Sequence, residues 1–441
     1  MTRKIFFAAL LFFGAAFAQE VNYSGSLTAL AGVGLAESNA GKFLAGQLAF
    51  DNTLKVYAGN VMVCANGTLI ADATQSQSTN GISNFASDNG FISMKLKEAY
   101  LDYDGGFWSV RAGRQISAWG KADGIQVADI LCPQDESNMI ASTYKESRLG
   151  VDALRVSFMG SFFQSDLYWI PFFTPSTLPL AKESALRKAV FPDRYGSFNL
   201  VTPQKWSDLD LPEKRIDNGE YAARLGFYFS KFDLSFYGFY GWDDLPFFSY
   251  TAVSEDTAVV TGSYKRMGMF GADAAIPVKD FVFRLEAAFF PHRNIQTSAE
   301  WQAGMQMAGL AFEASKYCEQ MVALAGFDWT PSGGWTITAQ YIGDAVFASA
   351  ETLDRKAYVH RASLTVEKTL FNENLTLSAL AFLDLNDFSS ATELSAEYSV
   401  SDTTKVGLVG NLFFKGIDGE DGLYGTYSGL TCLTMKAVVS F

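Results

Sequence analysis

The connections between predicted strands constrain this chain most, because short and long connections alternate along it. Segments in which apolar and polar residues alternate recur throughout the sequence, bounded by residues typical of turns. Short links such as 104–106, 230–231 and 371–374 alternate with long links such as 118–150 and 172–219. A transmembrane barrel has short turns at one rim and long loops at the other, whereas a soluble sandwich has no reason to keep that parity. The pattern predicts an all-β fold, a closed antiparallel transmembrane β-barrel with short periplasmic turns and long external loops.

We predict about 18 strands, an even number that places both chain ends at the periplasmic rim. The stretch 300–319 is ambiguous, so a count of 16 stays open. The alternation slips between Lys97 and Glu98, which predicts a β-bulge, and a short turn is predicted at Asp51-Asn52. The predicted strands are 21–31, 43–51, 53–63, 91–104, 106–117, 151–160, 163–171, 220–230, 231–242, 264–275, 280–290, 320–330, 334–343, 357–370, 374–385, 389–399, 403–415 and 427–441.

The N-terminus has the features of a secretory signal peptide over residues 1–18. Two basic residues precede an apolar run, and residues 16–18 (Ala-Phe-Ala) form a small-x-small cleavage site. The apolar run is too short to span a bilayer comfortably. We therefore predict that the mature chain starts near Gln19 and that residues 19–441 form a single barrel domain.

The last segment, 428–441, alternates between two faces and ends on Phe441. One face is mainly apolar, and the other is mostly small or polar. This closing strand resembles those of bacterial outer-membrane β-barrels. The resemblance implies a location in the bacterial outer membrane, contact with its lipid, and recognition of Phe441 by the barrel-assembly machinery as a membrane-insertion signal.

The composition fits a lipid-exposed barrel and argues against several other functions. Aromatic residues make up 15% of the chain and charged residues only 18%, whereas soluble domains carry about a quarter charged residues. The net charge of -13 argues against nucleic acid as a partner. Four scattered cysteines and two histidines lack metal-ligand spacing, so we predict no metal, no cofactor and no enzyme activity. Whether Cys64 and Cys132 pair stays open.

Recognisable motifs lie between residues 92 and 245. A Gly-Arg-Gln segment at 113–115 follows a strand that reads Leu-Lys-Glu-Ala-Tyr-Leu-Asp-Tyr at 96–103, and Trp119-Gly120 comes next. Ile-Pro-Phe-Phe-Thr-Pro follows at 170–175. Together these motifs resemble a porin-like family of outer-membrane barrels with a Gly-Arg-Gln…Trp-Gly segment, similar in appearance to alginate-export-type barrels. The resemblance implies a channel, although Lys-Ala-Asp-Gly after Gly120 departs from the continuation common in that family.

Charged residues concentrate around the long link 118–150. A long loop that folds inward narrows the lumen of a large barrel, and opposed guanidinium and carboxylate groups there sort solutes by charge and size. A strand charge that faces lipid at the midplane costs about 2–4 kcal/mol, so charges in phase with outward apolar neighbours should face the lumen. Arg114 has the wrong phase unless its strand bulges or has left the membrane. The residues predicted to line the pore or its constriction are Arg111, Gln115, Asp123, Asp129, Arg148, Arg155, Arg224, Arg284, Glu286 and Arg361.

The predicted function is an outer-membrane porin for passive diffusion of small hydrophilic solutes. Each predicted pore charge has an alternative role, which is to pair with a neighbour and hold the inward loop. Two alternative functions also stay open. One is a substrate-specific transporter of an acidic oligosaccharide or a hydrophobic compound, and the other is a barrel whose external loops bind ligands or adhere to surfaces. The sequence leaves the solute and the oligomeric state undetermined.

Overall fold

The computed structural model describes residues 19–138, 140 and 143–441. Within them, eighteen antiparallel strands form a closed barrel, because each strand pairs with the next and the last pairs with the first. This confirms the predicted fold class and the count of 18. The predicted signal peptide, residues 1–18, lies outside the described residues. No helix in the described ranges is long and apolar enough to cross a membrane.

The barrel strands are numbered in chain order. They are β1 Glu20–Gly34, β2 Phe43–Ala58, β3 Val61–Asp72, β4 Ile92–Asp104, β5 Trp108–Gln115, β6 Val151–Met159, β7 Phe163–Ile170, β8 Glu220–Tyr228, β9 Asp233–Trp242, β10 Arg266–Val278, β11 Phe281–Gln296, β12 Ser315–Trp329, β13 Trp335–Val346, β14 Tyr358–Leu370, β15 Leu375–Asp384, β16 Ser390–Ser399, β17 Thr404–Phe414 and β18 Cys432–Ser440. Short turns follow the even-numbered strands and external loops follow the odd-numbered ones, so the predicted parity is confirmed.

The turn predicted at Asp51-Asn52 is wrong, because β2 continues through it to a turn at Gly59-Asn60. The predicted strand 53–63 accordingly straddles that turn. Asp51 bonds Thr68 on the neighbouring strand, and Asn52 accepts a hydrogen bond from the Tyr23 hydroxyl at 2.6 Å. These cross-strand bonds satisfy two side chains that would otherwise favour a turn.

Two other local predictions have clear outcomes. The bulge in β4 is confirmed, because Glu98 pairs with Asn66 and Leu96 with Gly67, which leaves Lys97 unpaired. The ambiguous stretch 300–319 contains a helix, Ala299–Met307, before β12 begins. The Ser298 side chain caps this helix by accepting a hydrogen bond from the Trp301 N–H.

The two faces of the strands differ in chemistry. On β11, Phe283 and Leu285 are exposed on the outer surface, whereas Glu286 and Phe290 are buried toward the interior. The other strands repeat this alternation. Exposed Leu, Val, Phe and Tyr side chains therefore cover the outer surface of the barrel. An apolar exposed belt of this extent is stable in contact with lipid and leaves the polar strand faces to line the interior.

Arg114 lies on the outer face of β5, as its phase requires, but at the external end of the strand. Its guanidinium donates to both carboxylate oxygens of Asp152, at 3.0 and 2.9 Å, and to the Ile82 carbonyl oxygen at 2.9 Å. The external loop that contains Ile82 covers the side chain, which is 7% exposed. A paired and covered guanidinium avoids the cost of contact with lipid.

The barrel closes between β18 and β1 through Phe441. The backbones of Gly25 and Phe441 exchange two N–H···O hydrogen bonds of 3.0 Å. The Phe441 ring lies 5.9 Å from the Tyr23 ring and 6.0 Å from the Phe50 ring, between centroids. A Cβ on residue 25 would approach the Phe441 ring to 2.7 Å, so glycine leaves the space that this ring occupies.

The external loops form an ordered layer above one side of the barrel. Its apolar cluster contains Phe173, Leu180, Phe191 and Tyr264. The short strands of the external sheet are Arg194–Tyr195, Phe198–Val201, Phe247–Ala252 and Thr257–Ser263, and a further short strand, Asn84–Ala86, pairs with β4. The remaining short helices are Tyr144–Ser147, Ala185–Val190 and Gly422–Gly425, with 3-10 turns at Glu37–Asn39, Trp206–Asp208, Ile216–Asn218, Ala350–Thr352 and Ser428–Leu430.

Candidate functional site

Residues 116–150, here called the inward loop, connect β5 to β6, and the described part of this loop folds into the barrel interior. The buried Trp119 ring stacks on the Tyr237 ring of β9 with centroids 5.0 Å apart. Other buried apolar residues of the loop join inward-facing residues of β6 to β13 in one cluster: Ile125, Val127, Ile130 and Leu131. The inward loop therefore fills the side of the lumen bounded by these strands, and Trp119 packs the loop against the wall.

Glu286 on β11 is the main polar attachment of the inward loop. Its carboxylate accepts hydrogen bonds from the backbone N–H groups of Lys121 (2.5 Å), Ala122 (2.8 Å) and Ala128 (2.7 Å). Hydrogen bonds to an ionised acceptor are stronger than those between neutral groups. One wall carboxylate therefore fixes two separate stretches of the loop.

Three further wall residues hold the same part of the inward loop. Gln340 on β13 bonds both backbone groups of Asp123, accepting from the N–H and donating to the carbonyl oxygen at 2.9 Å each. Arg284 donates to the Lys121 carbonyl oxygen at 3.1 Å, and the Tyr237 hydroxyl accepts from the Gly120 N–H at 3.2 Å. The backbone of the loop thus replaces water along this wall.

Asp129 organises the interior of the inward loop. Its carboxylate accepts hydrogen bonds from the Trp119 N–H at 2.9 Å, from the Tyr144 hydroxyl at 3.2 Å and from the Arg148 Nε at 2.8 Å. Burial acts to lower the pKa of Arg148, but the adjacent Asp129 outweighs it, so the net shift in that pKa is upward. Asp129 therefore links the two ends of the loop, one through the Trp119 N–H and the other through a buried ion pair with Arg148.

We expect Asp129→Asn to destabilise the inward loop strongly. The substitution leaves the Arg148 guanidinium buried without its charge partner, and breaking a buried pair in this way costs about 3–5 kcal/mol. Urea unfolding followed by tryptophan fluorescence should show a lower midpoint. Asp217→Asn removes a carboxylate from an exposed pair with Arg215 (2.7 Å) and should leave the midpoint unchanged. Equal midpoints for the two variants would contradict the assignment.

The other predicted pore residues do not form one ring. Arg111 pairs with Asp102 at 2.5 Å, Arg224 lies 3.8 Å from Asp166, and Arg284 pairs with Asp328. Arg155 is in register with Arg111 on the adjacent strand, and its Nε has no hydrogen-bond partner among the described residues. Gln115 is fully buried and donates to the Ala153 carbonyl oxygen at 2.9 Å. Two groups of the ten predicted residues do come together. Asp129 forms an ion pair with Arg148, and Arg284 and Glu286 both form hydrogen bonds with the backbone of Lys121.

A cavity of about 610 Å³ lies between the inward loop and the inner faces of β11 to β17. Ile125 and Val127 of the loop face this space, as do Phe382 and Phe413 of the wall. Its charged lining residues are Asp135, Glu136, Arg293, Asp344, Arg355, Arg361 and Glu393. Of the predicted pore residues, only Arg361 lines this cavity.

Some charges of the cavity are neutralised by neighbours. Asp344 accepts hydrogen bonds from Gln320 Nε2 at 2.7 Å and from Arg355 Nη1 at 3.0 Å. Arg293 pairs with Asp243 at 3.2 Å, and Asp135 pairs with Lys95 at 2.6 Å. By contrast, three lining groups make no side-chain hydrogen bond or ion pair with any described residue: Arg361, Glu136 and Glu393.

Sequence reasoning missed most of this cavity. Glu393 lies at an inward position of β16, so strand phase could have identified it. Arg293 of β11 follows a register shift after Phe290, and strict alternation with Glu286 and Phe290 would have placed it on the outer face. Arg355 and Glu136 lie in loops, where no periodicity exists to assign a direction.

All four cysteines are free and buried, so the open question of a Cys64–Cys132 bond is answered in the negative. Burial raises the pKa of the Cys132 thiol to about 12.

A closed 18-stranded barrel with an apolar outer belt and a polar lumen narrowed by an inward loop has the architecture of the bacterial outer-membrane porins. The chain belongs to the family described as Protein of unknown function (DUF1302), whose model matches residues 24–424. No curated protein matches the chain.

Similar folds occur among solved outer-membrane proteins. OccAB1 of Acinetobacter baumannii has a TM-score of 0.54 at 10% identity, with 96% of this chain and 97% of that chain covered. OccK8 (OprE) of Pseudomonas aeruginosa has a TM-score of 0.53 at 11% identity, covering 96% and 98%. A BenF-like porin from Pseudomonas fluorescens Pf-5 has a TM-score of 0.52 at 9% identity, covering 96% and 99%. At these identities the similarity shows the fold, and the fold supports an outer-membrane location.

Proposed function

We propose that the protein is a passive channel for small hydrophilic solutes. One observation carries this proposal: the inward loop fills part of the lumen and leaves beside it a cavity of about 610 Å³ lined with charged groups. Space lined by accessible charges stays hydrated, and hydrated space is what a polar solute requires. The solute would pass between the inward loop and the wall formed by β11 to β17.

The constriction of this channel is proposed to lie at the cavity. Arg361 and Glu393 are its unpaired charges on the barrel wall, whereas Arg111, Arg224 and Arg284 each have a carboxylate neighbour. A paired guanidinium presents less field to a passing solute than an unpaired one. The paired arginines are therefore assigned to the structure of the wall and of the inward loop.

Single-channel recording in planar bilayers tests the channel. Purified protein should give discrete conductance steps that grow with salt concentration, as expected for a water-filled pore. Arg361→Gln should shift the reversal potential in a salt gradient toward cation selectivity, because the lumen loses an unpaired positive charge. Arg215→Gln removes the same charge from an exposed loop and should leave the potential unchanged. Absence of conductance would contradict the channel function.

The ion selectivity should also depend on pH through Glu136. Burial, with a contribution from Asp135, raises the pKa of this loop carboxyl above its usual value. Glu136 therefore loses its negative charge at a higher pH than an ordinary glutamate as the solution is acidified. We expect cation selectivity to decrease as the pH falls through the raised pKa, and Glu136→Gln to lack this component. An identical pH profile in wild type and variant would refute the assignment.

Transport of an acidic oligosaccharide is the second candidate function. The resemblance to alginate-export-type barrels suggests it, and Arg293, Arg355 and Arg361 along one cavity favour it. A polyanion would need several guanidinium groups free at once. Two of these three have a carboxylate within 3.2 Å, so diffusion of small solutes is the better supported function.

A further inference from the structure

Three charges of the barrel wall that make no side-chain hydrogen bond or ion pair with the described residues, Arg361, Glu393 and Lys436, alternate in sign along the lumen. Arg361 on β14 is in register with Asp384, and Leu380, four residues nearer the periplasmic rim, is in register with Glu393 on β16. Four residues of strand span about 13 Å. Glu393 also lines an adjoining cavity of about 170 Å³, which contains Lys436 of β18.

Lys436 continues the alternation. Like Arg361 and Glu393, it makes no side-chain hydrogen bond or ion pair with the described residues, although Glu393 and Glu146 both lie near enough to interact with its charge. Lys436 is in register with Gly407 on β17, and Gly407 with Glu397, four residues beyond Glu393 on β16. A solute that moves inward along this wall thus passes Arg361, then Glu393, then Lys436, while the loop carboxylates Glu136 and Glu146 line the same spaces.

This order acts differently on solutes of different charge. A solute with one charge is attracted at one position and repelled at the next, because each unpaired group keeps its field in the narrow lumen. A solute with both signs can turn one end toward each group in succession, so it is attracted throughout. The apolar walls near Arg361, formed by Ile125, Val127 and Phe382, also favour a solute with a short apolar segment between its charged ends.

We propose that the channel selects small zwitterionic solutes, with an amino group and a carboxylate on a short, partly apolar chain, over solutes of a single charge. This inference rests on the proposed channel function. It specifies the solute class for the same lumen. Arg361 is assigned to attract the carboxylate end of the solute, and Glu393 to attract its amino end.

Release rates from proteoliposomes in symmetric salt test this proposal. The probes are 4-aminobutyrate (zwitterion), N-acetyl-4-aminobutyrate (anion), 4-aminobutanamide (cation) and N-acetyl-4-aminobutanamide (neutral). Wild type should release the zwitterion at least about threefold faster than the neutral probe, through attraction by the lumen charges. Arg361→Gln should lose this preference and favour the cation, whereas Glu393→Gln should lose it and favour the anion.

Two control variants and the neutral probe separate the possible failures. Arg215→Gln and Glu213→Gln remove the same charges from an exposed external loop and should keep the wild-type preference. Equal release of all four probes by wild type would overturn the zwitterion preference and leave the channel. Fastest release of the anion would overturn it in favour of an anion pathway. Release of none of the probes, the neutral one included, would overturn the channel function itself.

Discussion

Glu286→Ala should increase the single-channel conductance by at least about twofold, because it releases the inward loop from the wall and widens the lumen. Three backbone N–H groups, those of Lys121, Ala122 and Ala128, lose their acceptor together. Each unsatisfied buried group costs about 1–3 kcal/mol, so the stretch gains more by moving into water than by staying in place. Larger neutral solutes should then pass as well.

The matched control for this experiment is Glu367→Ala. Glu367 is an inward-phase residue of β14 in register with Thr336 and Ser378, and it makes no hydrogen bond to the inward loop within the described residues. The Glu367→Ala substitution removes one lumen carboxylate without freeing the inward loop. The conductance of this variant should therefore stay near that of wild type. The strand pairing of the barrel is untouched in both variants, and both should migrate as folded barrels on unheated gels. Equal conductance of the two variants would refute the attachment role of Glu286.

Gly25→Val should reduce the yield of folded barrel by a factor of about 5 or more. A Cβ at this position would lie 2.6 Å from the Asp51 carbonyl oxygen and 2.7 Å from the Phe441 ring. Overpacking of this kind costs about 1–3 kcal/mol, and 1 kcal/mol already changes an equilibrium about fivefold. The collision occurs where β18 meets β1, so it acts on closure of the barrel. Heat-dependent gel mobility after refolding measures the folded fraction.

Gly238→Val is the control for the glycine substitution. Gly238 lies within β9, and a Cβ there meets nothing within 4 Å. Valine suits a strand better than glycine, so folding should be equal or improved. Phe441→Ala should lower the yield by itself and should remove only the part of the Gly25→Val effect that comes from the ring, because the clash with the Asp51 carbonyl oxygen remains. If Gly25→Val folded as well as Gly238→Val, the proposal that the Phe441 ring requires the space left by Gly25 would be wrong.

Much of the barrel could be predicted because the relevant signals are local. A residue that alternates with lipid-facing neighbours must face the interior, so Arg284 and Glu286 were placed in the correct phase without knowledge of any contact. The alternation of short and long connections likewise predicted which rim carries the short turns and which carries the long loops. The error at Asp51-Asn52 arose where a local turn signal competes with cross-strand bonds to Thr68 and Tyr23. Such bonds join residues that are distant in sequence, so a local pattern does not contain them.

The site was harder to predict because it depends on partners. Arg111, Arg148 and Arg361 have the same charge, and their neighbours in sequence do not show which of them has a carboxylate partner. Asp102 neutralises Arg111 and Asp129 neutralises Arg148, whereas Arg361 has no such partner among the described residues. A guanidinium influences a passing solute only when no nearby carboxylate cancels its field. The list of candidate residues therefore came from composition and phase, while their roles depend on pairing.

The sequence by itself determined the barrel, its strand parity and the lipid-facing belt, because each follows from the period of two of a strand and from the chemistry of its two faces. Only the tertiary structure decided that the inward loop packs on β6 to β13 and leaves an open space bordered by β11 to β17. That choice depends on where Glu286, Tyr237 and Gln340 meet backbone groups of a loop more than a hundred residues away in the chain. Contacts at this separation form when the barrel closes, and no local pattern encodes them.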